Sequence, residues 1–300
     1  MPPFRHGKTI IFSYTESGMP YIRQTVEAGR TLEILKYFSG RLGKKTKPAE
    51  KRLPSPEAVQ RANLRKAERE LRWLMNANFE DGRDALVTWS FFRDRQPEGH
   101  SDMLRAAQQL VRKLRREYAR EGLRLKYIYT MEIGPRGSRH IHMMISSVNL
   151  LILARCWGHG PVDIKPLHSD GQYAAVASYF IKYSMKTEET EGRKLGHRWT
   201  GSHNLQKPRI RREVVRASTF REKIPEKPGY YIDHDRTESG ENELTGLRYL
   251  RYTYIRERKN SETQYLHRHR HKGAAEEERK VVVQAGGSRR RRDSTCGERI

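Results

Sequence analysis

Two histidines one residue apart, His140 and His142, sit in the apolar run Arg139-His140-Ile141-His142-Met143-Met144-Ile145-Ser146. In a strand, alternate side chains share a face. Both imidazoles therefore point one way while Ile141 and Met143 point the other, and the pair can chelate one cation without distorting the backbone. An earlier strand, Leu123 to Ile133, is joined to this one through Gly134-Pro135-Arg136-Gly137-Ser138, the clearest hairpin in the sequence. A five-residue loop sets Glu132 directly opposite His140 on the same face, whereas a four-residue loop would set Met131 there and turn Glu132 away. Two imidazoles and a carboxylate leave coordination positions open for water and a substrate oxygen, as a catalytic divalent metal requires.

A second constellation lies in Tyr179-Phe180-Ile181-Lys182-Tyr183-Ser184-Met185-Lys186. On a helix Tyr179, Lys182, Tyr183 and Lys186 fall at i, i+3, i+4 and i+7, one polar stripe, while Tyr173, Ala174, Ala177, Phe180, Ile181 and Met185 line the opposite side. A phenol with a pKa near 10 is a poor nucleophile at neutral pH, but an adjacent ammonium and a metal-bound phosphate both favour its phenolate. The alternative is a packed aromatic helix with lysines in solvent.

Several elements must position these groups. Asp84 to Phe92 reads as a core strand, with Leu86, Thr88 and Ser90 on one side and Val87, Trp89 and Phe91 on the other. A helix starts at Ser101 or Asp102, carries Met103, Ala107, Leu110, Val111, Leu114 and Tyr118 along one stripe, and ends at Gly122. Val148 to Trp157 predicts a short helix, Pro161 to Pro166 a strand, and Gln172 to Lys186 the tyrosine helix with Asp170 as its cap. Upstream, Thr9 to Thr15 and Pro20 to Val26 predict a hairpin turning through Glu16 to Met19. After a basic linker, Ser55 caps a helix that begins at Pro56 and packs through Leu64, Ala67, Leu71, Leu74 and Met75; its other face, nearly all Arg, Lys and Glu, is either solvated or set against a DNA backbone. Strands interrupted by helices, with one firm hairpin, give an α+β fold: a largely antiparallel central sheet flanked by helices. The division is an N-terminal hairpin plus basic helix over 1–82, the chemical domain over 83–220, and a basic, mostly disordered tail over 221–300 that ends in Arg289-Arg290-Arg291-Arg292.

Composition limits the partners. With 60 Lys+Arg against 36 Asp+Glu, a formal charge of +24, the 300-residue chain expects a polyanion. No stretch has the roughly 20 apolar residues of a membrane helix, and the N-terminus lacks a signal peptide's apolar block, so a soluble cytosolic protein is expected. Cys156 and Cys296 show no metal-ligand spacing and offer no disulfide framework.

Together the motifs resemble rolling-circle replication initiators of the HUH endonuclease superfamily, in the branch of filamentous and small isometric bacteriophages and related bacterial mobile elements. Val87-Thr88-Trp89-Ser90-Phe91 looks like that family's first motif, Arg139 to Ser146 like its metal motif, and Tyr179 to Lys186 like its nucleophile motif, in the family's order and over roughly Leu86 to Leu205. The resemblance implies the family's endonuclease palm and a divalent metal, Mg²⁺ or Mn²⁺, held by His140, His142 and a less constant third ligand, here Glu132. It implies single-stranded origin DNA as substrate and Tyr179 as first nucleophile, forming a 5′-phosphotyrosine, with Lys182 as its charge partner. Tyr183 fits the second tyrosine that closes the circle. Lys186, Arg193, Lys194, His197, Arg198 and Trp199 suit contacts to the strand. Host helicase and polymerase in a bacterial cytoplasm would be its partners. The rivals are a single-strand transposase of the same superfamily and a catalytically silent DNA-binding protein on the same fold.

Overall fold

The computed structural model describes residues 20–39, 55–134, 136–192, 196–243 and 246–258. Among them the fold is α+β, as expected, but it is built on two antiparallel sheets rather than one, in two compact units. Of the described residues the first unit takes 20–39, 55–77, the short piece 170–172, 207–243 and 246–258; the second takes 78–134, 136–169, 173–192 and 196–206.

In the second unit the strands β3 (Ala85–Ser90), β4 (Tyr127–Ile133), β5 (Arg139–Ile145), β6 (Val162–Pro166) and β7 (Thr200–Gly201) form a sheet ordered β6-β3-β5-β4-β7. The alternation in β3 divides its two faces. Val87 and Trp89 enter a core with Ile141, Met143, Tyr129 and Met131, covered by α2 (His100–Arg120) through Met103, Leu110 and Leu114 and by α3 (Leu150–Cys156) through Ile152 and Leu153. The opposite face carries Thr88, Ser90, His140, His142, Thr130 and Glu132 in register, and α4 (Ala174–Glu191) packs on β4 there. The end of α2 is built on glycine as foreseen: Gly122 has φ +68° and its N–H reaches the Ala119 carbonyl. For α4 the start differs. Tyr173 occupies the cap position with no side-chain capping bond, its hydroxyl donating instead to Asp81 Oδ1 at 3.0 Å, while Asp170 takes a left-handed φ of +52° outside the helix.

The chain enters and leaves this unit through a reciprocal pair: Asn78 Nδ2 donates to the Gln206 carbonyl and the Gln206 N–H donates to Asn78 Oδ1, both at 2.8 Å. A side-chain amide here imitates one rung of a ladder. Asn78 is buried and Gln206 exposed, so the expected cost of Asn78→Ala is about 1–2 kcal/mol, read as a lowered denaturation midpoint with unchanged m-value.

In the first unit β1 (Tyr21–Ala28) and β2 (Thr31–Phe38) make a hairpin through Gly29 and Arg30. Gly29 has φ +58°, and a Cβ there would lie 1.9 Å from the Asn76 carbonyl oxygen, so only glycine fits. The expected pairing of Pro20–Val26 with Thr9–Thr15 is therefore corrected. The edges of β1 are taken by β2 and by β8 (Arg209–Val215), and residues 9–15 lie outside the described residues. β9 (Tyr230–Ile232), β10 (Glu238–Glu241) and β11 (Arg248–Arg256) complete the sheet, ordered β10-β11-β2-β1-β8 with β9 on β11.

That is the largest departure from the sequence reading: 221–258 is not a tail. The run Arg248-Tyr249-Leu250-Arg251-Tyr252-Thr253-Tyr254-Ile255-Arg256 is an amphipathic strand whose Leu250, Tyr252 and Tyr254 join Ile34 in a buried cluster. The part of the expected tail from 259 onward, like the linker 40–54, lies outside the described residues. α1 (Pro56–Asn78) is capped by Ser55, whose Oγ accepts from the Ala58 N–H at 3.2 Å. Its basic face is partly withdrawn from any ligand. Arg72 is buried against Glu33, which also accepts from Trp73 Nε1 at 3.2 Å, while Trp73 packs on Val26 and Ala28.

Candidate active site

The hairpin register is the one that a five-residue loop requires: Glu132 pairs with His140, and Thr130 with His142. On the other side of β5, Ser90 pairs with His140 and Thr88 with His142. Each imidazole is thereby fixed by a hydroxyl, with Ser90 Oγ 3.0 Å from His140 Nδ1 and Thr88 Oγ1 3.2 Å from His142 Nδ1. These contacts occupy the two Nδ1 atoms and leave the Nε2 atoms for other partners, the arrangement by which neighbouring hydrogen bonds orient metal-binding histidines. Thr88 and Ser90 were not foreseen in this role, although their alternation with Val87 and Trp89 had already put them on one side of the strand.

Glu132 is almost fully buried, and both its oxygens are engaged. His142 Nε2 lies 2.9 Å from Oε2, and Lys186 Nζ donates to Oε1 at 2.7 Å. Burial by itself would raise this carboxyl, but the hydrogen bonds from His142 and Lys186 outweigh it and hold the pKa down at about 2. The same bond raises the Lys186 ammonium. Burial, reinforced by His142, lowers the pKa of His140 and favours its neutral, ligating form.

The shared face of Glu132, His140 and His142 is thus formed. Their convergence on one point is not, because the carboxylate is turned to His142 and Lys186; among the described residues no group of three or more His, Cys, Asp and Glu side chains is arranged to hold a metal ion. By donor chemistry the three still suit a divalent cation. Two hydroxyl-anchored imidazoles and a carboxylate are a nitrogen and oxygen donor set on one sheet face.

α4 brings the tyrosines to this face. Ala177, Phe180 and Ile181 are buried as the apolar stripe predicted, but Ser184 and Thr187 are buried with them and Met185 is only half-buried. Thr187 explains part of this: its Oγ1 donates to the Met131 carbonyl at 2.9 Å and accepts from the Ile133 N–H at 3.0 Å, pinning α4 to the outer edge of β4. Tyr183 then stacks on the His142 ring, centroids 4.1 Å apart at 14°, with Lys186 Nζ 5.5 Å from its ring centre. Tyr179 stacks one turn earlier, 6.2 Å from Tyr183, and is 55 % exposed. Burial and the nearby Glu132 raise the Tyr183 phenol, against a smaller opposing pull from Lys186. Of the two rings Tyr179 is the more exposed.

The other expected contacts divide. Lys182 is exposed on the Tyr179 side of α4. Lys186 is bonded to Glu132, within the site rather than on its rim. Arg198 is also committed: it pairs with Glu188 at 3.0 Å and donates to Ser184 Oγ at 3.2 Å, while its own carbonyl accepts from Thr130 Oγ1 at 3.0 Å. It fastens the segment after α4 back onto the helix and the sheet. His197 is exposed and Trp199 half-buried; Arg193 and Lys194 lie outside the described residues.

No helix among the described residues is long and apolar enough to cross a membrane. No curated protein and no solved structure matches the chain. Residues 84–188, from the start of β3 to the last turns of the tyrosine helix, match the model of the family described as Replication-associated protein ORF2/G2P, and over that stretch the chain is similar to replication-associated proteins, as its motifs predicted.

Proposed function

We propose that this chain initiates rolling-circle DNA replication as a metal-dependent endonuclease and strand transferase. It nicks one strand of single-stranded origin DNA and retains the 5′ end as a phosphotyrosine. The observation that carries the reading is the single sheet face on which Glu132, His140 and His142 lie in register beneath Tyr183, with Tyr179 exposed beside it, inside the stretch that matches a replication-associated family.

When bound by His140, His142 and Glu132, a divalent cation, Mg²⁺ or Mn²⁺, would polarise the scissile phosphate and offset charge on its oxygens. Ser90 and Thr88 keep the imidazoles turned for that task. Lys186, released from Glu132 as the carboxylate turns, stays beside the Tyr183 ring as a cation for the phosphate. Lys182, one turn from Tyr179, favours its phenolate. Tyr179 Oη forms a bond to phosphorus, the bond to the 3′-oxygen breaks, and that oxygen takes up a proton and leaves as a 3′-hydroxyl, while the phenolic proton passes to solvent. The phosphodiester is exchanged rather than hydrolysed, so the ends can be rejoined without an external energy source. A free 3′-hydroxyl suits extension by a host polymerase behind a host helicase, in the cytoplasm of a bacterial cell.

The test uses end-labelled single-stranded oligonucleotides tiled across the inverted repeats nearest the gene, with and without Mg²⁺ or Mn²⁺. The expected result is metal-dependent cleavage at one position and a labelled protein adduct that survives denaturing gels. Binding without cleavage under every metal condition would leave a DNA-binding protein on this fold and overturn the proposal.

A further inference from the structure

The face of the second unit opposite the tyrosines carries a charge pattern with no part in the chemistry above. On α2, Gln109, Arg112, Lys113 and Arg116 fall at i, i+3, i+4 and i+7, and with Arg115 they line a groove of about 540 Å³. Of the acids on this helix, Asp102 is bonded to Arg105, and Glu117 to Arg120 at 2.6 Å. Among the described residues Arg112, Lys113 and Arg116 have no acidic partner; Arg115 donates to the Tyr127 hydroxyl at 3.4 Å. A fifth cation comes from α3. Arg155 stands exposed in the last turn of α3, which packs against α2.

We infer that this α2 face, with Arg155, is a second nucleic-acid site that grips the phosphate backbone of duplex DNA flanking the nicked strand. The inference rests on the reading that this unit handles DNA. Two features favour duplex over single strand. The apolar side of α2 is buried in the core on the face of the sheet away from His140 and His142, so a strand held at Tyr179 does not reach it directly. The outer side of α2 presents guanidinium, ammonium and amide groups but no tyrosine, tryptophan or phenylalanine; Tyr118, the one such residue of the helix, is buried. Single-strand sites add stacking platforms to their cations, whereas a ringless row of cations reads backbone charge alone.

The experiment uses the full chain and the variant Arg112→Ala/Lys113→Ala/Arg116→Ala, all three side chains exposed, with thermal melting to confirm that the fold is kept. Binding is measured by anisotropy without divalent metal, across a salt series, on a single-stranded oligonucleotide and on the same strand carrying a duplex arm. The expected result is an affinity for the armed substrate lowered about tenfold or more at low salt, and a salt slope reduced by about 2 to 3, roughly 0.9 for each phosphate that the variant no longer neutralises. Affinity for the single strand should stay within about twofold. Equal reductions on both substrates, or none on either, would overturn the inference. Because nothing is cleaved in this assay, a chain that never nicks yet shows the selective reduction leaves this site standing and removes the nicking reading, and the reverse outcome does the opposite.

Discussion

Tyr179→Phe should abolish the covalent protein–DNA adduct while leaving the fold and single-strand binding unchanged. The side chain is 55 % exposed and its hydroxyl is the only atom removed, so stability gives no alternative explanation for the loss. Tyr183→Phe should behave differently. Its ring lies flat on His142 at 4.1 Å and phenylalanine preserves that stacking, so initial nicking should persist within a few-fold. Joining of the circle should fail, because the second phenol is missing when the first is occupied by the 5′ end. The ring centroids are 6.2 Å apart, close enough for either hydroxyl to serve one phosphate, and the effective concentration of such an arrangement favours intramolecular closure. Nicking of single-stranded origin DNA, peptide mapping of the adduct and a circle-closure assay decide it. Normal closure by Tyr183→Phe would mean a one-tyrosine enzyme, and an adduct absent only in Tyr183→Phe would mean that the two roles are exchanged.

Glu132→Gln carries the second large effect, with two readouts. The amide keeps the shape and loses the charge that holds Lys186 and His142. The concentration of Mg²⁺ or Mn²⁺ needed for half-maximal nicking should rise by about 10- to 100-fold or more, in the range that removal of a ligand or its support produces. The acid profile should change as well. The Glu132 carboxyl is depressed from 4.5 to about 2 in the folded protein. Its contribution to stability is therefore present above the unfolded-state value of about 4.5 and is lost as pH falls toward 2. Glu132→Gln should flatten that part of the unfolding curve while lowering stability at neutral pH. An unchanged metal requirement would remove Glu132 from the ligand set and leave it as the anchor of Lys186.

These groups were largely legible before any coordinates. The spacing of His140 and His142 fixed their common face, and the five-residue turn fixed Glu132 opposite His140, because side-chain alternation and loop length are local properties. Lys186 was legible as a member of the polar stripe but not as the partner of Glu132, since that contact depends on how α4 lies across β4. The contacts of Arg198 were not legible for a related reason. A basic residue after the nucleophile helix looks like a phosphate ligand until Glu188 and Ser184 are seen to hold it. The strand β11 fell within the expected tail because its long-range partner, β2, lies far away in sequence. Alternating rings and guanidinium groups are ambiguous until a buried face exists for Leu250, Tyr252 and Tyr254 to enter.

The first unit's sheet is assembled from both sides of the chain's middle, with β1 and β2 made early and β8 through β11 made only after the whole of the second unit. During synthesis β1 and β2 are a two-stranded ribbon, marginal in water, with open edges until β8 and β11 emerge to pair with them. The unit that comes second along the sequence has all its strands and helices available first. On the ribosome the domain bearing the tyrosines can therefore close while the hairpin that precedes it still has open edges, waiting for strands not yet translated.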